Sequence, residues 1–157
     1  MLKYLNTQVT FAEVPDEITL CINITGCKNG CKNCHSSYLA QDIGTELTFN
    51  EVRKLIKKNS GISCIALMGG DAEPDKINTL ASFIINHYGS IKVAWYSGRQ
   101  ELNNNIDLCN FDYIKLGPYK EEFGPLNSRT TNQRFYKVNE KELVDITNKF
   151  WKHETEN

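Results

Sequence analysis

Three of the chain's six cysteines are clustered in the segment GCKNGCKNCH at residues 26–35. Cys27, Cys31 and Cys34 follow the spacing C-x3-C-x2-C. Thiolates are soft ligands that bind zinc and iron–sulfur clusters. Three of them can hold three irons of a cubane [4Fe–4S] cluster and leave the fourth iron open to a small molecule. The spacing therefore favours an iron–sulfur site with one open coordination position.

Two other interpretations of these cysteines remain open. A zinc site would use His35 as its fourth ligand, yet His35 directly follows Cys34, and usual zinc spacings leave two or more residues between paired ligands. Three unremarkable thiols are the other interpretation, although the dense spacing speaks against it. We expect the remaining cysteines to be buried structural thiols, because they lie on or beside predicted strands without neighbouring ligands. These are Cys21, Cys64 and Cys109.

The elements that must position the cysteine segment are predicted to alternate between strands and helices. Apolar and β-branched runs predict four strands, at residues 17–25, 62–68, 91–96 and 111–116. One helix follows the capping box formed by Thr48 and Glu51, and a second opens at Pro74. This alternation predicts a parallel sheet with right-handed crossovers.

The C-terminal third of the chain carries weaker signals. Residues 124–134 are polar and predict a loop. From about residue 139 to residue 152, an Asn139–Glu142 capping pattern precedes apolar residues at helical spacing, which predicts a C-terminal helix. No repeat, low-complexity tract or linker divides the chain, so we expect residues 1–157 to form a single domain.

Three glycine-bearing turns follow the first three predicted strands. They are Gly26 with its cysteines, Gly69-Gly70-Asp71, and Ser97-Gly98. Ligands of parallel sheets collect at the C-terminal ends of the strands. We therefore expect the three turns to share one rim.

Composition limits the compartment and the partners. The chain is 40% hydrophobic and 24% charged with a net charge of −1, which gives no attraction to nucleic acid or anionic membranes. Its first residues lead into polar sequence without the apolar core of a secretory signal, and the longest apolar runs are too short to span a bilayer. We expect a cytoplasmic protein with reduced thiols, and neither a nucleic-acid nor a membrane partner.

Together these motifs resemble the radical S-adenosylmethionine (radical SAM) superfamily, and more narrowly the activating proteins of anaerobic ribonucleoside-triphosphate reductase. The similarity covers most of the chain: the cysteine segment, MGGDAEP at 68–74, AWYSG at 94–98, FDYIKLGPY at 111–119 and TNQRFYKV at 131–138. The short chain also fits, because longer glycyl-radical activases often carry an inserted ferredoxin-like domain. The resemblance implies an α/β fold, an incomplete and laterally open (β/α) barrel with parallel strands.

The resemblance implies a [4Fe–4S] cluster on Cys27, Cys31 and Cys34 and a bound S-adenosyl-L-methionine. An electron from a donor such as a flavodoxin would cleave S-adenosylmethionine to methionine and a 5′-deoxyadenosyl radical. That radical would take a hydrogen atom from a glycine in the C-terminal loop of the partner reductase and leave a glycyl radical. The alternatives are an activase of another glycyl radical enzyme, a radical SAM enzyme acting on a small molecule, and a structural zinc-binding module.

Five positions on the strand ends acquire roles through the resemblance. Gly69 and Gly70 would let the backbone approach the methionine moiety, and Asp71 would lie near its ammonium group. Ser97 resembles a third-strand hydroxyl that reaches the ligand. Lys115 would pair with the methionine carboxylate, unless strand alternation points it outward.

Further positions acquire roles in the loops. Asn33 and His35 flank Cys34, where the superfamily's loop lies along the adenine. Many members carry an aromatic residue at the position of Asn33, and His35 either contacts the nucleoside or caps the loop. Arg129 and Arg134 of the predicted loop would grip the partner's glycine loop.

Overall fold

The computed structural model describes residues 2–26 and 43–151. Its strands are β1 (Lys3–Thr10), β2 (Thr19–Ile24), β3 (Thr45–Glu46), β4 (Cys64–Met68), β5 (Lys92–Tyr96), β6 (Tyr113–Leu116), β7 (Arg134–Asn139) and β8 (Glu142–Asp145). Its helices are α1 (Phe49–Lys58) and α2 (Pro74–His87), with short 3-10 helices at Leu108–Asn110 and Thr147–Phe150. The strands form one sheet in the order β3-β1-β2-β4-β5-β6-β7-β8.

The centre of the sheet is a parallel block of β2, β4, β5 and β6. These strands and the two helices confirm the corresponding sequence predictions. Thr48 caps α1 as expected, because its hydroxyl accepts a hydrogen bond from the Glu51 amide at 3.1 Å. At the other end of α1, the backbone amide of Asn59 donates to the carbonyls of Leu55 and Ile56.

The predicted incomplete, laterally open (β/α) barrel with parallel strands is wrong. Antiparallel strands flank the parallel block on both sides, β1 and β3 on one and β7 and β8 on the other. The described residues contain two α-helices against eight strands. No α-helix connects β5 to β6, because the intervening segment contains the run Asn103-Asn104-Asn105, and asparagine side chains compete for backbone hydrogen bonds.

The predicted C-terminal helix at about 139–152 is also wrong. β7 and β8 form a hairpin in which Asn139 pairs with Glu142. The turn residues Glu140 and Lys141 have φ angles of 51° and 65°, as the favoured two-residue hairpin turns require. Leu143 packs on the helix-covered side of the sheet, so tertiary packing overrides the local helical pattern.

The two faces of the sheet differ in what covers them. One face packs its aliphatic side chains against α1 and α2, and Trp95, 1% exposed, belongs to this core. The other face carries small and aromatic residues, and Val14, Ile146 and Phe150 from the connecting segments and the tail pack against it. In the described ranges no helix is long and apolar enough to cross a membrane.

The three cysteines outside the cluster have two different environments. Cys21 and Cys64 are buried on the second face, as predicted. Burial raises the pKa of each thiol to about 12, so both stay protonated. The prediction for Cys109 is wrong, because this residue lies on an exposed 3-10 turn before β6.

Candidate functional site

The C-terminal ends of the parallel strands form one rim. The Gly69 amide donates to the Tyr96 carbonyl at 3.0 Å, which joins the ends of β4 and β5. The Ser97 amide donates to the Lys115 carbonyl at 2.9 Å, which joins β5 to β6. Gly26 follows the end of β2, the other neighbour of β4. The structure therefore brings Gly26 and the turns at Gly69 and Ser97 to the same side of the sheet.

Asp71 and Ser97 contact each other directly across this rim. The Ser97 hydroxyl donates to Asp71 Oδ1 at 2.6 Å, and the Gly98 amide donates to Asp71 Oδ2 at 2.8 Å. Asp71 is 6% exposed and Ser97 is 1% exposed. Arg99 adds a contact from its guanidinium to the Asp71 carbonyl at 3.2 Å. Asp71 thus ties the turn after β4 to the turn after β5.

The backbone conformation and the close packing at positions 69 and 70 favour glycine. Their φ angles are 111° and 87°, in the left-handed region that strains other residues. A Cβ at Gly69 would lie 3.2 Å from the Ile24 carbonyl at the end of β2, and one at Gly70 would overlap Ile77 of α2. The Gly69 carbonyl also accepts from the Trp95 indole at 2.7 Å. The turn therefore lies against the end of β2, two residues before Gly26.

Lys115 is a buried cation at the end of β6. It is 8% exposed, and its ammonium group donates to the carbonyls of Gly117 at 2.8 Å and Ser97 at 3.1 Å. The ammonium lies 5.9 Å from the centre of the Tyr96 ring. Strand alternation thus points Lys115 into the second face of the sheet. A buried positive charge at the C-terminal ends of parallel strands suits an anionic group of a ligand.

The segment before β2 reaches the same area, which the sequence did not reveal. The Tyr96 hydroxyl donates to the backbone carbonyl of Glu13. Burial raises the pKa of the Glu13 carboxyl, and the charge of Lys115 opposes this rise. Burial and the nearby Glu13 carboxylate also raise the pKa of Tyr96 well above its usual value. No motif marks Glu13 in the sequence, because only the folded chain brings it to this face.

A second polar cluster occupies the opposite ends of the parallel strands. Glu17 is 7% exposed; its carboxylate accepts from the Ser63 hydroxyl and the Lys92 ammonium at 2.9 Å each, and from the Tyr113 hydroxyl at 3.1 Å. Burial alone would raise the pKa of Glu17, but these hydrogen bonds hold it below its ordinary value. The bond to Glu17 in turn raises the pKa of Lys92. The cluster thus joins the segment before β2 to β5 and β6.

The expected metal ligands lie outside the described residues. These are Cys27, Cys31 and Cys34. Asn33 and His35, which the resemblance places along the adenine, also lie outside the described residues. Within 2–26 and 43–151, no group of three or more His, Cys, Asp or Glu side chains is arranged to hold a metal ion.

The predicted partner-binding loop is tied to the rest of the fold. The Arg129 guanidinium lies 5.7 Å from the centre of the Trp151 ring, and Arg134 forms a 3.7 Å ion pair with Asp145. The Trp151 indole donates to the Leu126 carbonyl at 3.1 Å. Both arginines thus contact their own chain, and the loop has a defined shape.

Comparisons with known proteins add no constraint on this site. The chain matches no protein-family model, and no curated protein or solved structure matches it. Its function has to be derived from the rim and from the cysteine spacing.

Proposed function

We propose that this chain binds a [4Fe–4S] cluster and S-adenosylmethionine and forms a glycyl radical in an anaerobic ribonucleoside-triphosphate reductase. The main support is the position of the cysteine segment in the chain. In the sequence it follows Gly26, which comes two residues after Ile24, and the Ile24 carbonyl lies against the turn at Gly69. Ligands of parallel strands bind at this end. The described rim and the thiols thus fit one ligand-binding site.

The residues divide into thiolates that hold the cluster and groups that shape its surroundings. Cys27, Cys31 and Cys34 would hold the cluster through three of its irons, leaving one iron for S-adenosylmethionine. Lys115 supplies a buried positive charge for the methionine carboxylate. Asp71 fixes the two turns in place, because its carboxylate already accepts hydrogen bonds from the end of β5.

When bound and reduced by one electron, these cofactors supply a 5′-deoxyadenosyl radical and free methionine. The chain's own residues bind, orient and shield this chemistry. The second face of the sheet is covered beneath the rim by Tyr96, Lys115 and the segment around Glu13. This cover keeps water away from that part of the face. The buried thiols of Cys21 and Cys64 stay protonated, so they do not compete for iron.

The first test is the metal content of cysteine variants purified without air. Cys27→Ala, Cys31→Ala and Cys34→Ala should each lose the brown cluster and all cleavage of S-adenosylmethionine. Cys109→Ala is the matched control, because Cys109 is exposed and its removal creates no cavity. An intact cluster in Cys31→Ala, or stoichiometric zinc without iron in the wild type, would refute the proposal.

The second test identifies the substrate. The reduced protein is mixed with S-adenosylmethionine and the reductase, and electron paramagnetic resonance should detect a glycyl radical doublet. Exchange of the candidate glycine of the reductase for alanine should abolish the doublet and block activation. A doublet that survives this exchange means that the assigned glycine is wrong. Conversion of a small molecule without any protein radical would instead support a radical SAM enzyme of another class.

A further inference from the structure

Glu13 is an acidic residue close to Lys115 on the second face of the sheet. It lies in the segment between β1 and β2, next to Val14, which is fully buried on that face. The Tyr96 hydroxyl donates a hydrogen bond to the Glu13 carbonyl. The Glu17 amide donates to the Val14 carbonyl at 3.2 Å, which closes a turn just after Glu13. The fold therefore fixes the backbone at Glu13.

The described titratable groups that interact with the Glu13 carboxyl come from three strands. Burial raises the pKa of this carboxyl, while the charge of Lys115 on β6 and the Tyr96 hydroxyl on β5 lower it. On β2, burial and the charge of Glu13 raise the pKa of Cys21 to about 12. The pKa of Tyr96 is raised by burial and by Glu13 as well, so the thiol and the phenol both stay neutral. Among these three groups Lys115 is the charged one, and its charge balances that of Glu13.

The Lys115 ammonium lies where this balance affects a ligand. It donates to the carbonyls of Ser97 and Gly117, which belong to the turns after β5 and β6, so it lies at the level of the rim. The Tyr96 ring lies 5.9 Å from the ammonium, and the hydroxyl of the same ring reaches Glu13. A carboxylate that binds Lys115 from the rim therefore enters a place where Glu13 already contributes negative charge.

We propose that Glu13 sets how tightly Lys115 holds the methionine carboxylate of S-adenosylmethionine, an inference that rests on the proposed function. Before the ligand binds, the Glu13 carboxylate balances the Lys115 ammonium. When the ligand binds, two carboxylates act on one ammonium and repel each other. Charges in a site with little water interact more strongly than in bulk solvent. Glu13 therefore weakens the binding of S-adenosylmethionine, and it favours the release of methionine, which carries the same carboxylate.

Paired variants and paired ligands test this role. Binding is measured by calorimetry without air on the cluster-loaded, unreduced protein, so that no ligand is cleaved. Glu13→Gln removes the charge and keeps the size of the side chain, and it should bind S-adenosylmethionine roughly tenfold more tightly than the wild type. Decarboxylated S-adenosylmethionine should bind Glu13→Gln and the wild type equally. The two ligands thus separate repulsion between carboxylates from a general change of the site.

Asp16→Asn is the matched control. It removes the same charge from the same segment, but the Asp16 side chain is 85% exposed and lies 3.7 Å from the Lys149 ammonium. Asparagine tolerates the left-handed backbone at this position, where φ is 68°. Asp16→Asn should therefore bind both ligands like the wild type. Glu13→Ala is a second variant that should shift the affinity in the same direction as Glu13→Gln, and melting temperatures show that each variant is folded.

The outcomes separate this inference from the proposed function. If the wild type binds S-adenosylmethionine and the folded Glu13 variants bind it no more tightly, the inference is refuted and the proposed function stands. An equal gain in affinity for the decarboxylated ligand also refutes the inference, because the effect would then not involve the carboxylate. A cluster-loaded wild type that does not bind S-adenosylmethionine refutes both.

Discussion

The two ends of the parallel strands both contain a buried carboxylate and a lysine, but the pairs are arranged differently. At the N-terminal ends, Lys92 donates directly to Glu17 at 2.9 Å. At the C-terminal ends, Asp71 accepts from Ser97 and Gly98, while Lys115 donates to backbone carbonyls. Glu17 and Lys92 are thus joined by a direct hydrogen bond at one end. At the other end Asp71 and Lys115 each bind groups of the turns, and the charge of Lys115 also acts on the Glu13 carboxyl.

The difference follows from what strand ends expose. Parallel strands leave amide groups unpaired where they begin and carbonyl groups where they end. The ammonium of Lys115 accordingly binds two carbonyls, whereas Glu17 accepts from side chains and not from backbone amides. Because Lys115 binds carbonyls, the C-terminal rim can hold its positive charge without a salt bridge to Asp71.

The largest expected effect comes from removing the buried lysine. Lys115→Met should lower the free energy of unfolding by about 2–3 kcal/mol, because the carbonyls of Ser97 and Gly117 lose a charged donor. The same change at the N-terminal ends of the strands, Lys92→Met, should lower the free energy of unfolding by less than about 1 kcal/mol, since the Lys92 side chain is 50% exposed. Chemical denaturation measures both. Equal losses would contradict the comparison.

The next effect concerns the carboxylate that joins two turns. Asp71→Ala should cost about 2 kcal/mol, because the Ser97 hydroxyl and the Gly98 amide lose their acceptor. Asp71→Asn keeps one side-chain oxygen and should lose about half as much. Denaturation of both variants tests this order. If Asp71→Asn were as unstable as Asp71→Ala, the negative charge itself would be essential.

A smaller effect on stability, which depends on pH, is expected at the N-terminal ends of the parallel strands. The hydrogen-bonded Glu17 carboxyl has a pKa below its ordinary value of 4.5, so its stabilisation is complete above that pH. It is lost as pH falls through the lowered pKa. Glu17→Gln should therefore be about 1 kcal/mol less stable than the wild type at pH 7. The difference should shrink as pH falls from 4.5 through the lowered pKa.

Lys92, the partner of Glu17, makes the stability depend on pH at the alkaline end of the range. Its pKa is raised above 10.5, so its contribution is complete below that pH and is lost as pH rises through the raised value. The wild type should lose stability at alkaline pH more steeply than Lys92→Met. Parallel pH profiles of the two proteins would contradict the ion pair with Glu17.

The sequence predicted the centre of the sheet but not its edges. β2, β4, β5 and β6 are buried on both faces, and continuous apolar runs mark such strands clearly. β1 is polar and largely exposed, so its sequence carries no comparable signal. In the tail, the apolar residues at helical spacing instead lie in or beside a hairpin strand and a 3-10 helix. Tertiary contacts decide between the two structures there.

The candidate site was predictable to a similar extent. The turns at Gly69 and Ser97 were found because glycines after strands are visible in the sequence. The bond between Asp71 and Ser97 was not, because it joins residues 26 positions apart in the chain. Glu13 and Glu17 were missed for the same reason: their partners lie on β5 and β6 or the adjoining segments.

The hydrogen bond from the Trp95 indole to the Gly69 carbonyl makes tryptophan fluorescence a probe of the rim. Trp95 is buried and its indole donates to that carbonyl, so its fluorescence emission responds to a change in this contact. The chain's second tryptophan, Trp151, is only partly buried and reports on the tail instead. Light emitted by Trp95 therefore follows movements of the turn that lies beside the end of β2.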